Sequence, residues 1–138
     1  MAELTGQQLL EAGSEVQTQV VDVGQWIPGG TMFVRKMSLE QHDAYEKSML
    51  KITVNGNSVK QEPDLLNRTA KLLVWTVSDK EGRLHYKPAD VEKLGKHPNK
   101  DMWRHIHDEA AKFNGLNKSI EDVGKNSETT LPSASSSD

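Results

Sequence analysis

Apolar positions fall into short clusters separated by turn residues, and the period inside each cluster changes along the chain. Residues 16–23 and 31–37 are both dense in β-branched or bulky side chains, with Gly24, Pro28, Gly29 and Gly30 between them. The two runs read as an antiparallel β-hairpin with a long loop. Consecutive Val20 and Val21 break the alternation, which predicts a bulge or burial on both faces. Ser38 and Gln41 have the spacing of a capping box and open a helix, on which Tyr45, Met49 and Ile52 recur at i, i+4 and i+7. Asn55-Gly56 is a tight-turn dipeptide between residues 51–54 and 57–60, so a small second hairpin is expected there. Residues 63–77 carry two signals at once. Leu65, Thr69, Leu72 and Thr76 keep a helical period, with Pro63 suited to a first turn, whereas residues 74–77 have strand propensity. Length and period favour a helix ending near Ser78, with a turn over 79–82. Residues 88–94 read as a two-turn helix from Pro88, stopped by Gly95. Residues 98–114 form a longer helix with Trp103, Ile106, Ala110 and Phe113 on one stripe and Gly115 as its stop.

The predicted class is α+β: a small N-terminal antiparallel β-hairpin followed by a mainly α-helical region and a flexible C-terminal tail. Three parts follow from the pattern. Residues 1–15 form an N-terminal arm with Leu4, Leu9 and Leu10 as its apolar positions. Residues 16–118 form one domain, a size typical of a single core. Residues 119–138 form an acidic, Ser/Thr-rich tail with too few apolar side chains to offset the entropy of ordering.

Composition narrows the function classes. Of 138 residues 35% are hydrophobic and 27% charged, and the formal net charge is −3, which suits a small soluble protein. Without a run of about 18 apolar residues, no membrane-spanning helix is expected. The N-terminal stretch, with Glu3 and Glu11, lacks a signal-peptide pattern. No cysteine is present, so disulfide and thiolate chemistry is excluded and a reducing cytosol fits. Residues 83–118 are mildly basic, but acids interleave with the Lys and Arg, unlike the dense stripe of a nucleic-acid binder. Neither nucleic acid nor membrane is an expected partner.

Chemistry-bearing patterns are sparse. His105 and His107 are two apart, which on a helix puts them on different faces, and His85 and His97 have no fixed register to them. No metal-ligand spacing is present. Ser38, Ser48, Ser58 and Ser78 lack a nucleophile-elbow context. Asp43 and Glu46, three apart beside Lys47, suit salt bridging better than acid–base work. Gly29-Gly30 has no Lys and Ser/Thr behind it to cradle a phosphate. The reading is therefore no enzyme, no cofactor and no metal. Trp75 and Trp103 suit core anchoring. Trp26, among Gly24, Gln25 and Pro28, suits a surface loop and is the candidate protein-binding residue, since tryptophan is enriched at binding hot spots.

In chain order the run comprises residues 16–23, Trp26 and Gly29-Gly30, residues 31–37, a helix bearing Asp43-Ala-Tyr-Glu46, the apolar segment 70–77, Asp79-Lys-Glu-Gly82, and a final helix leaving through Asn114-Gly-Leu116. Over residues 16–117 this succession resembles the tail assembly chaperones of long-tailed bacteriophages. The resemblance implies a protein that binds the tape measure protein in the host cytoplasm, keeps it soluble, helps gather the major tail protein around it, and is absent from the mature virion. It also implies that a longer, frameshifted form can exist. It assigns no catalytic residue. The chain departs from the family pattern in its Asn55-Gly56 insertion and its N-terminal arm. The alternative is a small structural or connector-type virion protein acting as an interaction module, and self-association stays open.

Overall fold

The structure, a computed structural model, describes residues 3–116. In chain order the elements are α1 (Gly6–Glu11), β1 (Thr18–Asp22), β2 (Thr31–Arg35), α2 (Leu39–Ser48), β3 (Leu50–Asn55), β4 (Ser58–Pro63), α3 (Arg68–Thr76), β5 (Val77–Ser78), α4 (Val91–Gly95) and α5 (Lys100–Phe113). A 3-10 turn, Pro88–Asp90, leads into α4. The tail expected over 119–138 lies outside the described residues.

The α+β architecture matches the expectation, with the N-terminal hairpin in place: β1 pairs antiparallel with β2 from Thr18↔Arg35 to Asp22↔Thr31. Its register is continuous, so Val20-Val21 forms no bulge. Val21 is buried and Val20 is exposed, the ordinary alternation of a strand packed on one face. The second strand stops at Arg35, short of the expected residue 37. What local pattern did not disclose is a third strand. Val77-Ser78 pairs antiparallel with β2 through Val34↔Val77 and Phe33↔Ser78, so the sheet order is β1-β2-β5.

Residues 74–76 end α3, resolving the double signal in favour of helix. Ala70, Leu72, Leu73 and Val74 are all buried. A helix apolar on most sides is one enclosed by the fold, and burial then overrides the strand propensity of its last turn. Thr76 tolerates the position because its Oγ1 donates to Leu72 O at 2.9 Å, satisfying a hydroxyl that would otherwise be buried unpaired. The start of the helix differs from the expectation. Pro63 is the last residue of β4 rather than a first helical turn, and α3 begins at Arg68. Ile52 likewise belongs to β3 and not to the face of α2, which ends at Ser48. Gly95 is the last residue of α4 rather than the first beyond it, and α5 begins at Lys100 rather than Pro98.

One core joins these parts. Val21, Val23, Val34 and Val77 from the sheet meet Leu72 and Leu73 of α3 and Met102, Ile106, Ala110 and Ala111 of α5. The small alanines let α5 approach the sheet closely. Each fully buried leucine contributes roughly 1.5–3 kcal/mol by leaving water. Gly82 closes the turn after β5 at φ +88°, where a Cβ would stand 2.6 Å from Val16 Cγ1; only glycine fits both the backbone angle and the space.

Candidate functional site

Sequence singled out Trp26 as a contact residue. The loop after β1 turns it back toward α5: Trp26 and Ile27 both donate their backbone N–H to Val23 O. Its ring lies 5.4 Å from that of His105 and is partly buried against the core. His105 is placed in turn by a 3.1 Å hydrogen bond between its Nε2 and Asp22 O. Trp26 therefore anchors the loop while one part of it remains at the surface. Trp103 also packs against the core, whereas Trp75 is half-buried.

The remaining candidate groups are dispersed. His105 meets Asp22 and Trp26, while His107 Nδ1 sits 3.2 Å from Asp108 Oδ1. His97 stacks edge-on against Trp103 and accepts from Asn99 N at 3.1 Å. The serines are engaged with nearby backbone. Ser38 Oγ caps α2 by accepting from Gln41 N at 3.1 Å. Ser48, Ser58 and Ser78 donate to the carbonyls of Tyr45, Asn55 and Asp79. Asp43 and Glu46 have a neighbour that the sequence reading overlooked: His42 lies one turn before Glu46, with Nδ1 3.5 Å from its carboxylate. Together His42, Asp43 and Glu46 bring three donor atoms within 4.8 Å of one another. They lie on the accessible face of α2, where such groups are also what a solvated helix displays.

A different feature is an open apolar surface. The second hairpin, β3–β4, is amphipathic, and among the described residues no other element covers its apolar side. Leu50↔Pro63, Ile52↔Gln61 and Val54↔Val59 are cross-strand pairs on one face; Lys51↔Glu62, Thr53↔Lys60 and Asn55↔Ser58 occupy the other. Leu50, Ile52, Val54 and Val59 are 44%, 53%, 64% and 65% exposed, whereas the sheet valines facing α5 are closed from solvent. The sequence located the turn at Asn55-Gly56 but held nothing to show that this face goes uncovered. Only the ribbon's base is tied down, where Asp64 N donates to Met49 O at 2.7 Å and Lys71 Nζ reaches Asp64 O at 3.0 Å. Among the described residues its sheet has two strands, so both outer edges offer unpaired backbone groups.

Magnitude decides what such a face can do. Covering the exposed half or so of four aliphatic side chains yields roughly 3–6 kcal/mol before the entropic cost of association. One ribbon alone thus gives a weak, fast-exchanging contact. No protein-family model, no curated protein and no solved structure matches this chain.

Proposed function

We propose that this protein is a tail assembly chaperone of a long-tailed bacteriophage, acting in the host cytoplasm by covering apolar stripes of the tape measure protein until tail subunits displace it. The observation that carries the apolar-binding part of the reading is the uncovered face of the β3–β4 ribbon, which lies where the chain departs from the family pattern. Its support from sequence is the succession of strand, Trp/Gly loop, capped Asp-Ala-Tyr-Glu helix, Asp-x-x-Gly turn and Asn-Gly-Leu exit. A holdase must bind apolar surface and later release it, and a weak, fast-exchanging apolar contact allows both. The major tail protein enters as the competitor for the same client stripe, so release needs no nucleotide or chemical step.

Co-expression tests this. With the wild-type chain the soluble fraction of the tape measure protein is expected to rise, and the two proteins to co-purify. The double variant Ile52→Lys/Val59→Lys places two charges on the apolar face without entering the core and is expected to abolish the gain. A client equally soluble with and without the wild-type protein would refute the chaperone reading. Equal protection by the double variant would move the client site off the ribbon.

A further inference from the structure

A second surface has different chemistry. A cleft of about 670 Å³ lies between the start of α3, the end of α4 and the first turns of α5, within the volume range of ligand sites. Arg68, Lys100, Arg104 and His97 line it, and no Asp or Glu does. None of the three permanently charged groups pairs with a carboxylate among the described residues. Several cations outside the cleft do pair, Lys71 with Asp64, Arg83 with Asp79 and Glu81, Lys96 with Glu92 and Lys112 with Glu109. Among the described residues the cleft thus gathers positive charge with no carboxylate in its lining, in a protein whose net charge is −3.

The helix start adds to it. Asn67, at the N-cap of α3, has a left-handed backbone (φ 59°), and its side chain caps nothing. The amide instead lies against Gly95, where a Cβ would stand 2.1 Å from Asn67 Oδ1, so glycine lets the end of α4 close one wall. The opening turn of α3 thus presents N–H groups and the positive end of its dipole without a side-chain acceptor. Leu65, Leu73, Leu94 and Trp103 supply apolar wall. Among the described residues the indole Nε1 of Trp103 is buried without a hydrogen-bond partner, a costly state for a donor.

We propose that this cleft docks an acidic, leucine-bearing segment of a partner protein, its carboxylates against Arg68, Lys100, Arg104 and the α3 N-terminus and its apolar side chain against Leu73, Leu94 and Trp103. Charge complementarity selects the occupant. Three separated cations beside an apolar wall match alternating carboxylates and leucines, whereas a nucleic-acid strand calls for a denser basic track. The cleft's cationic side chains are exposed, so a small free anion would remain largely hydrated there, while a peptide can span wall and rim together. The proposal stands on its own charges and does not depend on the ribbon or on the phage reading.

The test uses the full chain and a fluorescein-labelled 14-residue peptide of Glu and Leu at helical spacing, followed by anisotropy at low salt. Saturable binding is expected, weakened at least about tenfold by Arg68→Glu/Arg104→Glu and by raising the salt, since screening acts directly on exposed pairs. The variant should fold, because an acidic residue at the first turn of α3 is favourable to the helix dipole; an unchanged melting curve checks this. The same peptide with Lys for Glu should not bind. Absence of binding by the wild type, or equal binding by the folded variant, would overturn the proposal. So would displacement of the peptide by a 12-nucleotide single strand or by inorganic phosphate at lower concentration than by unlabelled peptide, which would make the cleft a phosphate site.

Discussion

Asn114 shows how much one side chain can carry. It is the C-cap of α5, and its Oδ1 accepts from Met37 N at 2.8 Å while its Nδ2 donates to Arg35 O at 3.2 Å and Ala110 O at 2.9 Å. The amide thereby pairs the backbone just past β2 with the end of α5, two segments far apart in sequence. This gives the Asn-Gly-Leu exit a physical meaning: only a side chain that both donates and accepts can serve both partners. Asn114→Ala is expected to cost about 1–3 kcal/mol, since it strands partly buried backbone groups; chemical denaturation measures it. Asn114→Asp keeps the acceptor for Met37 N but sets a carboxylate oxygen against the Arg35 and Ala110 carbonyls at the negative end of the α5 dipole, so it should not recover the loss. Asp79 makes a second, pH-dependent contribution. Its carboxylate accepts from Arg83 Nε at 2.7 Å and Arg83 N at 2.9 Å, and these bonds hold its pKa below the usual value, side-chain bond first. The folded pKa lies below the unfolded one, so whatever stability the turn gains is present above the ordinary carboxylate pKa and is lost as pH falls through the depressed one. An NMR titration should find the Asp79 midpoint below 3.8, and Arg83→Ala should return it toward that value.

Among the elements, the ribbon is one whose removal should matter little to the fold and, on the chaperone reading, much to function. Its two strands contribute no residue to the buried core, and the Asp64–Met49 hydrogen bond brings its ends together. Replacing residues 51–62 with a short Gly-rich link is expected to change stability by no more than about 1 kcal/mol, because the loss involves exposed backbone and little packing. Thermal melting and co-expression then separate the two roles: an unchanged melting temperature with lost client protection supports a contact element. A large drop in melting temperature would show that the ribbon braces α2 and α3. The last turn of α3 makes the opposite point. Its strand-prone residues are held helical by enclosure, and the chain becomes strand at Val77 only because β2 offers a free edge there.

At the scale of the whole molecule, the apolar ribbon and the cationic cleft are separate surfaces that present different chemistry. The chaperone reading also sets where the protein is found: proteomic mass spectrometry should detect it in infected cells and not in purified particles. Recovery in particles at a fixed ratio to the tail proteins would favour a connector-type subunit instead.

The sequence alone determined what depends on a few neighbouring residues. Ser38 and Gln41 mark a helix start because their reciprocal hydrogen bonds span three positions, and Asn55-Gly56 marks a turn because those two residues suit its backbone angles. The N-terminal hairpin and the stripe of α5 were legible for the same reason, since side-chain period follows directly from backbone geometry. Tertiary structure decided everything that depends on which distant surface arrives. It put Val77 on the edge of β2 and buried Val21 rather than Val20. It turned Trp26 onto His105, left Leu50, Ile52, Val54 and Val59 without a cover, and gathered Arg68, Lys100 and Arg104 around one cleft. Burial and charge at a point are sums over neighbours brought together by folding, and residues adjacent along the chain carry only the local part of that sum.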